Sequence, residues 1–154
     1  MSIVFGFIVF GVIGIALAAK DAVLIKMSLL MLASWSASNA FYTFLDGPHI
    51  LAVNSAMDAL FTLMAIKIMV PKGRIALAIP ILFCFVAMMT LHFGFLFFNF
   101  SGSFHYYTAL NILFAAQLLT LGAGGVAGMV ENHIYNHILK PVAVRGSYRH
   151  GGNQ

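Results

Sequence analysis

The largely apolar stretch Ile50–Ile66 carries a single charged residue, the carboxylate Asp58. A carboxylate at the centre of a bilayer costs roughly 2.5–3.5 kcal/mol on insertion scales. Asp58 therefore needs a partner or a proton of its own. His92, in another apolar stretch, is the base at matching depth. Counting about 1.5 Å per helical residue from the outer helix ends, Asp58 lies about 12 Å down and His92 about 9 Å. Asn39, Asn54 and Asn111 fall in the same outer half, as do Trp35 and Tyr42, and can complete a hydrogen-bond network. Trp35, Ser38, Asn39, Tyr42 and Asp46 follow one another in steps of one to four along one helical side, and Asn54 and Asp58 are one turn apart. An intramembrane ionisable residue is by default a functional-site hypothesis: here, a site for a cation, a proton or a small polar ligand. Two other readings use the same residues. They can join the helices to one another, or form a polar face that docks a partner subunit.

Metal chemistry has weaker candidates. Cys84, Met88 and His92 are spaced by four, and sulfur with imidazole suits copper or haem. With nine methionines in the chain, however, a Met near a His is expected by chance. His92 and Asp58 with His49 or His105 form a looser set. His133 and His137 share one helical side near Glu131, but a zinc helix places its Glu inside the His pair. Asn132 and Asn136 beside them suggest a solvated face instead. No phosphate-binding glycine loop, nucleophile elbow or Cys-x-x-Cys is present, so no catalytic residue and no cofactor is assigned.

The elements that carry these residues follow from composition. Of 154 residues, 62% are hydrophobic and 8% charged, far below the roughly one quarter charged in soluble domains. Ile3–Ala19, Met27–Leu45, Ile75–Phe98 and Phe104–Val130 contain no charge at all. Such runs are read as membrane helices, since barrel strands alternate apolar and polar residues. The reading is an all-α, multi-pass transmembrane bundle of about five spans, near 3–19, 24–45, 49–70, 75–98 and 105–130. Turn chemistry at Asp46-Gly47-Pro48, Pro71-Lys72-Gly73-Arg74 and Asn99–Ser103 separates spans, and the short connections make neighbours antiparallel. With no basic residue ahead of it, the first run reads as a retained helix and not a secretory signal.

Basic residues set the orientation. Lys20 and Lys26 flank the first connection, Lys67, Lys72 and Arg74 the third, and Lys140, Arg145 and Arg149 follow the fifth span. The second and fourth connections have none. By the positive-inside rule the N-terminus is outside and the C-terminus cytoplasmic, as in a bacterial inner membrane protein. The formal net charge of +4 is accounted for in this way and does not point to nucleic acid. Residues 1–140 form the bundle, with Glu131–Lys140 an interfacial helical extension; 141–154 form a basic tail near anionic headgroups. Cys84, the single cysteine, has no intramolecular disulfide partner. Gly124-x-x-x-Gly128 and Gly14-x-x-x-Ala18 are small-residue patterns for close helix packing. Phe104, Tyr106 and Tyr107 read as interface anchors, whereas Trp35 is too deep for that role and packs on the polar face.

Small size and absent catalytic motifs point first to a non-enzymatic subunit or accessory component. Such a protein works through helix contacts with the bilayer, with copies of itself as a homo-oligomer, or with other membrane subunits. The alternative is ion, proton or ligand binding centred on Asp58 and His92. A membrane metalloprotein subunit and a holin-like permeabilising protein rank lower, since holin-like proteins have fewer spans.

Overall fold

A computed structural model describes residues 3–44, 48–98 and 103–135. They form five α-helices: α1 (Ile3–Ala19), α2 (Ala22–Phe44), α3 (Pro48–Met69), α4 (Ile75–Phe98) and α5 (Ser103–Ile134). A 3-10 turn, Val70–Lys72, links α3 to α4. The helices begin and end within a few residues of the boundaries expected from sequence. Helix α5 runs without a break past Glu131 to Ile134, into the segment expected as a helical extension. His137 and the expected tail 141–154 lie outside the described residues.

The turns have local causes. Lys20 adopts a left-handed backbone, φ 54°, which ends α1. Asp21 then caps α2: its Oδ1 accepts from the backbone N–H of Val23 at 2.9 Å and of Leu24 at 3.2 Å. That satisfies two of the donors a helix start leaves unpaired. Gly73, at φ 69°, closes the 3-10 turn in a conformation that suits glycine. Arg74 Nη2 reaches Asp21 Oδ2 at 2.6 Å, joining the α1–α2 turn to the α3–α4 turn. Asn132 Nδ2, near the end of α5, donates to the Ala19 carbonyl at 3.4 Å. Lys20, Lys72 and Arg74 thus gather at one end of the bundle, with Glu131 and Asn132 beside them.

The helices pack as a closed ring. Each contacts its neighbours in sequence, α1 also packs on α5, and α2 touches α5 across the interior. The inner faces supply Val9 and Val12 from α1, Met27 and Met31 from α2, and Phe61 and Ala65 from α3. Ile81 and Phe85 from α4 and Phe114, Leu118 and Leu121 from α5 complete this core. The outer faces are equally apolar: Phe7, Phe83, Phe97 and Leu119 are all about 70% exposed (73%, 69%, 72% and 73%). An apolar perimeter of this extent suits a lipid surround and not water. Helices α2 to α5 are long and apolar enough to cross a membrane; α1 is apolar but shorter.

The small-residue patterns pack differently from expectation. Gly14 and Gly128 face open space, where an added Cβ would meet nothing within 4 Å. The close approach is one residue on from Gly124, at Gly125. A Cβ there would lie 2.5 Å from Ile15 Cγ2, so α1 can seat on α5 only because Gly125 has no side chain. Gly124 is also close-packed: a Cβ on it would lie 3.0 Å from Leu77 Cδ1.

Candidate functional site: a polar-lined cavity inside the bundle

Polar positions on four helices converge on one cavity of about 380 Å³. Helix α2 contributes Ser34, Trp35, Ser38 and Tyr42, whose spacing by one, three and four keeps them on one side. Helix α3 contributes Asn54 and Asp58, one turn apart. Met88 and His92 come from α4, again one turn apart, and Tyr107, Leu110, Asn111 and Phe114 from α5. The lining is amphipathic, with aromatic and aliphatic walls around a few fixed polar groups, the usual make-up of a small-molecule site.

Asp58, Asn54 and His92 are buried, at 6%, 3% and 4% exposure, so their polar groups point into the protein and not at the outer surface. His92 Nε2 lies 3.2 Å from Asp58 Oδ2. That is an ion-pair distance, but the ring N–H is not aligned for a hydrogen bond, and Oδ2 remains without one. On its other side, His92 Nδ1 shares a hydrogen bond with the Tyr106 hydroxyl. Tyr106 is itself buried and its ring lies against Phe95, centroids 4.5 Å apart. The imidazole is therefore held through Nδ1 by a phenol and faces a carboxylate with Nε2.

Several buried polar atoms of this lining have no hydrogen-bond partner: Trp35 Nε1, Tyr42 Oη, Asn54 Oδ1 and Asp58 Oδ2. Each such group in an apolar medium costs on the order of 1–3 kcal/mol. Burying four of them around one cavity is costly unless something in the cavity bonds to them.

The structure brings together most of the residues singled out from sequence. Asp58, His92, Asn54, Asn111, Tyr42 and Trp35 all line the cavity. Asn39 does not. Its Nδ2 turns back along α2 and donates to the Trp35 carbonyl at 2.7 Å, a local bond that removes it from the network. Tyr106 corrects a second expectation: it is an interior partner of His92 and not an interface anchor. Tyr107, although 47% exposed, lines the cavity and meets Tyr42 edge-on, centroids 5.9 Å apart. Among the proposed metal ligands, Met88 and His92 line the cavity and Cys84 does not. Among the described residues no three His, Cys, Asp or Glu side chains converge as a metal site would require. His49 and His105 are exposed and are not part of the lining.

Gln117 is not among the residues singled out from sequence. It is fully buried; its Nε2 donates to the Ile81 carbonyl at 3.4 Å and its Oε1 has no partner. An amide in the middle of an uncharged span is the same signal that marks Asp58. Helix α1 contributes indirectly as well. A Cβ at Gly6 would lie 3.1 Å from Trp35 Cη2, so the bare backbone of α1 backs the indole that forms one cavity wall.

Comparison with protein families, with characterised proteins and with solved structures finds no match for this chain.

Proposed function

We propose that this chain is a small membrane protein that binds a small polar ligand in the intramembrane cavity around Asp58 and His92. The carrying observation is the coincidence of about 380 Å³ of space with four buried polar atoms in its lining that make no hydrogen bond, Asp58 Oδ2 among them with only the misaligned imidazole of His92 beside it. A role limited to joining helices would favour closing that space and pairing those atoms. A docking role would need the polar face on the outside, but its central residues Asn54, Asp58 and His92 are buried. Association with further copies or other subunits would rest on the apolar perimeter instead. The arrangement of basic turns supports a membrane orientation with the cavity toward the extracytoplasmic side.

A density map of the protein in lipid nanodiscs, at a resolution that shows ordered water, tests the reading. Water or ligand density within hydrogen-bonding distance of Asn54 Oδ1 and Asp58 Oδ2 is the expected result. A cavity that is dry, or filled by an acyl chain, would overturn it.

A further inference from the structure

Resting on the reading that the cavity is a ligand site, we propose that its ligand is a small organic ammonium ion. Its charge lies toward Asp58 and its alkyl groups lie against the aromatic wall.

Charge comes first. Asp58 supplies the formal negative charge of the lining, and no Lys or Arg is among the lining residues. The basic side chains of the turns sit at the other end of the bundle, around Lys20, Lys72 and Arg74. An anionic ligand would meet Asp58 across a low-dielectric space with no fixed cation to offset the repulsion.

Hydrogen-bond sense comes second. The Asn54 amide oxygen, which has no hydrogen bond, and the Asp58 carboxylate beside His92 offer acceptors to a ligand. They fit a ligand that donates or is positively charged. The unpaired donors, Trp35 Nε1 and the Tyr42 hydroxyl, leave room for a neutral oxygen elsewhere on the molecule.

Shape and size come third. Trp35, Tyr42, Tyr107 and Phe114 give the cavity four aromatic side chains. A ring face attracts an alkylated ammonium by about 0.5–2 kcal/mol, more as water is excluded. A bare metal cation fits poorly: calcium takes about six to eight oxygen ligands at close range, and no cluster of metal-ligating side chains is present among the described residues. A proton needs no cavity. The volume of about 380 Å³ falls within the range of small-molecule sites, about 300–1,000 Å³.

Trp35, the single tryptophan, makes the test direct because it lines the cavity. The full chain in nanodiscs is titrated with tetramethylammonium chloride, tert-butanol and sodium acetate while Trp35 emission is followed, with sodium chloride matching ionic strength. A saturable change with tetramethylammonium alone is expected. Its affinity should fall about tenfold or more in Asp58→Asn, equivalent to about 1.4 kcal/mol. Asn54→Ala keeps the carboxylate and should weaken binding several-fold, so it carries the test if Asp58→Asn fails to fold. Unchanged affinity in a folded variant of either kind would overturn the proposal. Equal or tighter binding of tert-butanol or acetate would overturn the ammonium assignment while leaving a ligand cavity in place. No saturable response to any of the solutes would overturn both.

Discussion

Asp58 on α3 and His92 on α4 lie 3.2 Å apart, and the far nitrogen of that imidazole is held by Tyr106 on α5. Three helices thus meet through one chain of side chains. If this chain only joined helices, its loss would appear as instability. Hydrogen bonds between membrane helices are worth about 0.6 kcal/mol on average, because the separated helices find other partners. Asp58→Asn preserves shape and should therefore cost at most about 1–2 kcal/mol. We expect it to insert and keep its helicity while losing cavity binding. His92→Ala also strands Tyr106 and leaves a void, so it should be the more destabilising of the two. Thermal unfolding of both variants in detergent checks that order.

Gly6 and Trp35 give a second expectation. A methyl group at Gly6 would press on the indole from 3.1 Å, tighter than a relaxed contact. Because the neighbour is the outer edge of a side chain, the indole can shift toward the cavity. Gly6→Ala should therefore change Trp35 emission and weaken cavity binding several-fold, with helix content unchanged by circular dichroism. Unaltered emission would mean that α1 does not back this wall.

The α1–α5 contact at Gly125 is open to a double-mutant cycle. Gly125→Ala places a methyl group 2.5 Å from Ile15 Cγ2, and overpacking of this kind costs about 1–3 kcal/mol. Ile15→Ala removes the obstructing carbon and should recover most of that loss. Failure of rescue would show that α1 sits elsewhere on α5.

Orientation can be read with cysteine labelling. Native Cys84 is buried and should not react with an impermeant maleimide. Cysteine placed at the exposed position His49 should label from outside intact cells. Cysteine at the exposed position Lys72 should label only after permeabilisation. The reverse pattern would invert the orientation drawn from the basic turns.

The helices are legible in the sequence because apolar runs and turn residues change sharply along the chain, as at Pro71-Lys72-Gly73-Arg74. The meeting of Asp58 with His92 follows from depth alone, since a buried carboxylate has few places to go. Finer detail depends on rotamers, which spacing does not determine. Asn39 has the right position to join the cluster, yet a carbonyl four residues back satisfies it first. Tyr106 and Tyr107 are adjacent and look alike as interface anchors; the turn of the helix buries one against His92 and leaves the other at the cavity rim. Of the small-residue pattern on α5, Gly124 packs closely on Leu77, whereas α1 seats one residue further on, at Gly125, and Gly128 is left uncovered.

The central claim, that Asp58 sets the charge of a cavity reached from outside the membrane, is tested most directly at Ser38. Ser38 lines the cavity, and cysteine replaces serine with little change in size. In a Cys84→Ala background, Ser38→Cys should react with a cationic methanethiosulfonate added from outside, faster than with an anionic one. Adding Asp58→Asn should remove that preference. No reaction with either water-soluble reagent, or equal rates with Asp58 intact, would contradict the account.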